Sequence, residues 1–213
     1  MPSLYKSIII KMKIKVCGMR DAENIQSLFA LKPDFIGFIF YNKSKRFVAD
    51  FPQVNFPKGI KKVGVFVNEN IDVILDKVKK HQLNVVQLHG NETTEYCAKL
   101  HHYKLEIIKA FSVDENFDFN SILAYENSCN YFLFDTKGTN YGGNGIKFNW
   151  EILKKYRGNV PFLLSGGISK NDIEEIQKIK HPAFEGVDIN SGFEIEPALK
   201  NINKIKEFKE NLI

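Results

Sequence analysis

The sequence predicts an α/β chain folded as a single closed barrel of eight parallel strands, each followed by a helix. Three observations carry this. Eight short apolar runs rich in β-branched residues recur at intervals of about 25 residues. Stretches with helical spacing separate most of them. The runs are nearly continuous rather than alternating, as in Ile36-Gly37-Phe38-Ile39-Phe40, which is how strands read when both faces of a parallel sheet are buried.

Taken in order, the first strand is expected over Lys13–Cys17 and its helix over Asp21–Leu31, with Asp21 as N-cap. The second strand is Asp34–Phe40. Ala49–Ile60 then carries Pro52, Pro57 and Gly59, so the second helix is short or eroded. Lys62–Val67 leads to a helix over Ile71–His81 behind Asn70, and Asn84–Leu88 to one over Glu92–Tyr103 with Asn91 at its start. Leu105–Phe111 precedes a helix over Phe119–Tyr125. Tyr131–Asp135 is followed by a long loop and a helix over Asn149–Tyr156. Pro161–Leu164 leads to Lys170–Ile179 behind Ser169, and Gly186–Asn190 to Pro197–Glu210.

Eight such units in about 200 residues sit at the lower size limit of a (β/α)₈ TIM barrel. An open doubly wound sheet would usually have fewer strands and a GxGxxG turn after the first, which Cys17-Gly18-Met19-Arg20 is not. Closure also removes the two edges that eight buried strands would otherwise expose. The barrel domain is expected over residues 12–213, with residues 1–11 a disordered leader ahead of Met12. The apolar stretch from Ser7 is too short for a signal segment or a membrane span.

The net charge of +5 comes from dispersed lysines, with no basic cluster interleaved with aromatics, so a nucleic-acid groove is not expected. A diffuse positive field mildly favours small anions. Cys17, Cys97 and Cys129 lie far apart without CxxC spacing, which points to a reducing cytoplasm and to neither disulfides nor a zinc site.

In such barrels chemistry gathers where strands end at their carboxyl side. Cys17 ends the first strand, Asp135 the sixth, and Asp188 lies in the eighth. Each alone reads as a buried thiol or a turn-forming aspartate. Together over one mouth they are the makings of acid/base chemistry. His89, after the fourth strand, is placed either to pair with Cys17 or to hydrogen-bond from behind the site. Arg46, between Tyr41 and Phe47, offers a planar fork suited to a carboxylate. Ser165-Gly166-Gly167 after strand seven and Ser191-Gly192 after strand eight fall on the two loops where barrels commonly hold phosphate. Tyr141-Gly142-Gly143-Asn144-Gly145, in the long loop after strand six, offers a lid and a second phosphate contact. Two other readings compete. A metal-dependent epimerase would need histidine and carboxylate ligands at several strand ends, where only His89 is placed, and a non-catalytic barrel that binds sugar phosphate would keep the glycines without the acid and base.

The segments Lys15-Val16-Cys17-Gly18, Gly37-Phe38-Ile39-Phe40-Tyr41 with Ser44-Lys45-Arg46, Val63 to Asn68, and Val86-Gln87-Leu88-His89-Gly90 stand in a telling order. Phe134-Asp135-Thr136-Lys137, Tyr141 to Phe148, Leu164-Ser165-Gly166-Gly167 and Gly186 to Glu194 continue it. Over roughly residues 13–210 the chain resembles the phosphoribosylanthranilate isomerases. The resemblance implies an Amadori rearrangement of N-(5-phosphoribosyl)anthranilate with Cys17 as general base and Asp135 as general acid. It implies Arg46 at the anthranilate carboxylate, Asp188 near the anthranilate amine, and phosphate on Gly166, Gly167, Ser191 and Gly192, with no metal or cofactor. The expected partner is a small phosphorylated substrate, not nucleic acid or membrane, and the chain is expected as a monomer or homodimer. For Cys17 to work as a base at neutral pH it is expected to titrate below the ordinary thiol value of about 8.5.

Overall fold

A computed structural model describes residues 12–138 and 147–212. The leader expected over residues 1–11 and the contact expected from Gly145 lie outside the described residues.

Eight parallel strands close in sequence order into a barrel: β1 (Lys13–Val16), β2 (Phe35–Ile39), β3 (Lys61–Phe66), β4 (Val85–Leu88), β5 (Glu106–Val113), β6 (Tyr131–Thr136), β7 (Phe162–Leu164) and β8 (Phe184–Ile189). Each coincides with an expected strand. The ring closes where β8 pairs with β1, Lys15 opposite Asp188 and Val16 opposite Ile189.

The pleat sends alternate residues to opposite faces, which decides what reaches the mouth. Ile14 and Val16 pack outward under the helices, so Cys17 points inward; Phe132 and Phe134 do the same for Asp135, and Val187 and Ile189 for Asp188. Phe35, Val63, Val65, Val85, Ile108, Ala110, Leu133 and Leu163 fill the barrel floor beneath Cys17. The mouth is polar because this apolar floor is completed below it.

Three helices start where expected or nearly so. Asp21 caps α1 (Ala22–Phe29) by accepting the Asn24 N–H at 2.8 Å, and Asn70 caps α2 (Ile71–His81). Thr93, not Asn91, caps α3 (Thr94–His102); the Asn91 N–H instead donates to Asn68 Oδ1 at 2.7 Å, tying two mouth loops together. After β2 the chain crosses as irregular backbone, as the prolines require.

The later helices are eroded. The one expected over Phe119–Tyr125 shrinks to a 3₁₀ turn at Leu123–Tyr125, because Asp118 captures the Asn120 N–H at 2.9 Å and opens the segment as a turn. The sixth is a 3₁₀ stretch, Trp150–Lys155, and the seventh a 3₁₀ turn at Lys170–Asp172 running into α4 (Ile173–Gln177). After β8 a small hairpin intervenes, β9 (Glu194–Glu196) with β10 (Leu199–Lys200), and α5 (Ile202–Leu212) starts five residues later than expected. Pro197 belongs to the hairpin turn, where Ala198 takes a left-handed φ of 72°. Among the described residues no helix is long and apolar enough to cross a membrane.

Candidate active site

A pocket opens at the carboxyl ends of the strands. Cys17, Arg46, His89, Asp135, Gly166, Gly167, Asp188, Ser191 and Gly192 all line it. Every sequence-derived candidate within the described residues therefore meets the same space.

Cys17 sits at the end of β1 with 4% exposure, and Lys15, two residues below on the same inward face, is fully buried. The Lys15 ammonium bonds Asp188 Oδ1 at 2.8 Å, and its charge also acts on the Cys17 thiol. Burial pushes the Cys17 thiol above its ordinary value; Lys15 and Lys200 oppose this and Asp188 adds to it. The expectation that Cys17 titrates low is thus not met in the unliganded site. The reason is burial, which outweighs the opposing charges of Lys15 and Lys200. Burial likewise pushes Asp188 up, with Lys15 holding it back, and the same carboxylate keeps the buried ammonium charged. Gly37 on β2 gives the sulfur its room, since a Cβ there would lie 2.8 Å from Cys17 Sγ.

Asp135 is the penultimate residue of β6, on the far side of the pocket. Its Oδ1 accepts the Thr136 N–H at 2.9 Å, and its Oδ2 lies 3.2 Å from His89 Nε2. His89 thus faces the carboxyl group and not Cys17, which removes a thiol–imidazole pair from consideration. The other ring nitrogen, Nδ1, is 3.1 Å from the side-chain nitrogen of Gln87.

The two glycine loops touch. Gly192 approaches so closely that a Cβ would lie 2.1 Å from the Ile168 carbonyl oxygen, and Gly166, at φ 89°, has room for no side chain beside Thr136. Backbone N–H groups so free of side chains are suited to a phosphate.

Arg46 reaches the pocket wall with its fork held by Glu194, Nε at 2.7 Å and Nη2 at 2.6 Å. Glu194 also accepts from the fully buried Lys200 at 2.6 Å, and Lys200 reaches Asn190 Oδ1 at 2.9 Å beside the second glycine loop. Burial alone would raise the Glu194 carboxyl, but Arg46 and Lys200 outweigh it and hold the group below its ordinary value. Lys15, Gln87, Glu194 and Lys200 escaped the sequence reading. A lysine at an inward position of a buried run, two residues before a candidate cysteine, was the available signal for Lys15; nothing local marks the other three.

A closed eight-stranded barrel with thiol, carboxyl and glycine loops converging at the carboxyl ends of its strands defines a barrel enzyme of the kind that works on small phosphorylated compounds. The family model for N-(5'phosphoribosyl)anthranilate (PRA) isomerase matches residues 14–211. The N-(5'-phosphoribosyl)anthranilate isomerase of Parabacteroides distasonis is 47% identical over 95% of this chain and 94% of its own length. A crystal structure of phosphoribosyl anthranilate isomerase in complex with reduced 1-(o-carboxyphenylamino)-1-deoxyribulose 5-phosphate superposes with TM-score 0.77 at 32% identity, covering 94% of this chain and 98% of that one. Monomers generated from the dimeric enzyme of Thermotoga maritima give 0.76 at 31% identity, with the same coverage. This chain belongs to the N-(5'-phosphoribosyl)anthranilate isomerase family.

Proposed function

We propose that the chain converts N-(5'-phosphoribosyl)anthranilate to 1-(o-carboxyphenylamino)-1-deoxyribulose 5-phosphate in tryptophan biosynthesis. The observation that carries the reading is that Cys17 and Asp135 reach one pocket from β1 and β6 with the glycine loops beside them. Asp135 protonates the ribose ring oxygen as the C1'–O4' bond breaks, leaving a protonated imine. That cation acidifies the hydrogen on C2', which Cys17 removes. The resulting enolamine takes up a proton at C1' as its C2' hydroxyl gives one up, which yields the ketone. C2' is oxidised to a ketone while C1' of the same molecule is reduced, so the scheme needs only proton transfers and no external oxidant or reductant. Acid and base catalysis each contribute about 10²–10⁴-fold.

Gly166, Gly167, Ser191 and Gly192 hold the phosphate in this reading, Asp188 faces the anthranilate amine, and Arg46, oriented by Glu194, meets the carboxylate. A raised thiol suits a base only if substrate helps. Lys15 is the cation beside the sulfur, and when the amine engages Asp188 that ammonium is shared less with the carboxylate and more with the thiolate. The chain works as a monomer or homodimer in the cytoplasm, a choice of state that light scattering after gel filtration decides.

The test generates phosphoribosylanthranilate in situ and follows its fluorescence. Disappearance at a rate proportional to protein is expected. Tight binding without turnover would replace the enzyme by a sugar-phosphate-binding barrel, and loss of activity on chelation would bring back a metal-dependent reaction.

A further inference from the structure

Gln87 and His89 take successive inward positions at the end of β4. Across the two ladders Gln87 pairs with Val65 on β3 and Ile108 on β5, both apolar. It is 1% exposed, and its Oε1 has no hydrogen-bond partner among the described residues. A buried amide with an unmet acceptor carries a desolvation cost that a valine or leucine there would not. Stability therefore does not explain this residue. The contact of its side chain does: the amide nitrogen lies 3.1 Å from His89 Nδ1.

An amide nitrogen only donates, so Nδ1 must accept. The single hydrogen of the neutral ring is then on Nε2, which lies 3.2 Å from Asp135 Oδ2. The opposite carboxyl oxygen already accepts the Thr136 N–H. As Asp135 gives its proton to the ribose oxygen, negative charge develops on a carboxyl group that meets a fixed donor at each oxygen. Donors in place before the charge appears need no reorganisation, which is what makes such contacts effective in a transition state.

We propose that Gln87 is a positioning residue for the reaction: it locks His89 in the Nε2–H tautomer, so that the imidazole donates to the Asp135 carboxylate as it forms. The inference deepens the isomerase reading and rests on Asp135 being the proton donor. His89 is thereby assigned to the acid as well as to the pocket wall.

The ¹⁵N shifts of the intact enzyme at about pH 8, above the ordinary imidazole range, read the tautomer directly, with the signals of His89 identified by their loss in His89→Asn. A pyridine-type Nδ1 and a pyrrole-type Nε2 are expected, and mixed tautomers in Gln87→Leu. In the fluorescence assay Gln87→Leu should lose about 10–100-fold in kcat, part of what a lost oxyanion donor costs, with KM and product-analogue binding close to wild type. A merely structural role would move folding and KM together. A pyrrole-type Nδ1 in the active wild type, or wild-type kcat in Gln87→Leu, overturns the inference and leaves the isomerase reading standing. If Gln87→Leu does not fold, the wild-type shifts still decide. A wild type that fails to turn substrate over sinks the isomerase reading itself, whatever the shifts show.

Discussion

Substituting Gly37 by alanine displaces the proposed base without altering it. The new Cβ would lie 2.8 Å from Cys17 Sγ, 3.2 Å from its Cα and 3.3 Å from its Cβ. Backbone relief is blocked, because Gly37 is paired with Val63 on one side while its carbonyl accepts the Met19 N–H at 3.0 Å on the other. The sulfur must retreat. Restoring an ordinary contact of about 3.5–4.0 Å moves it by roughly 0.7–1.2 Å. A misplacement near 1 Å costs about 10²-fold in rate, while overpacking costs about 1–3 kcal/mol. At about 2–4 °C per kcal/mol for a chain of this length, the unfolding temperature should fall by roughly 2–12 °C. Steady-state fluorescence gives kcat, circular dichroism the unfolding temperature, and calorimetry the affinity for a reduced product analogue, which should hardly change. Adding Cys17→Ala removes the contact with the sulfur and leaves those with Cα and Cβ, so the double variant should recover part of the lost stability. Wild-type kcat in a Gly37→Ala protein whose unfolding temperature has dropped would show that the position of the Cys17 sulfur does not matter to the rate, and the assignment of the base would fall.

Cys17→Ala and Asp135→Asn should each lower kcat by about 10²–10⁴-fold with product-analogue binding retained; turnover like wild type in either, measured with freshly generated substrate, contradicts the acid/base pair. Arg46→Ala should raise KM more than it lowers kcat, since the lost contact is to a carboxylate that does not react; unchanged KM would take Arg46 off the substrate. Because burial raises the Cys17 thiol, its thiolate grows only as pH climbs past the ordinary thiol range near 8.5. Alkylation of the unliganded enzyme, followed by mass spectrometry, should therefore still be accelerating above that pH, and a rate already at its plateau at pH 7 would reverse the sign of the shift.

The strands were legible because both of their faces are buried, so each reads as an unbroken apolar run that no surface constraint disturbs. The outer helices were less so. Phe119–Tyr125 and Asn149–Tyr156 have helical spacing, but packing against the sheet is met by one or two 3₁₀ turns, and spacing alone does not say how many turns form. Pro197 reads equally well as the first residue of a helix or as part of a turn; the left-handed Ala198 beside it settles the matter only in three dimensions. In the site, Cys17, Asp135 and Asp188 were readable because they lie at or near strand ends. Glu194 and Lys200 were not, since their link to Arg46 spans some 150 residues and a hairpin that left no clear mark on the sequence.

The pairing of Lys15 with Asp188 lies on the seam where the last strand meets the first. If β8 arrived one position out of step, every side chain on it would change faces, sending the aspartate among greasy neighbours beneath the helices and leaving the lysine stranded without a counter-ion. Each unpaired ion would cost several kcal/mol, more than most misalignments could recover. The same two charges that the proposed chemistry employs thus act as a key for assembly, admitting the final strand in one register and rejecting its neighbours.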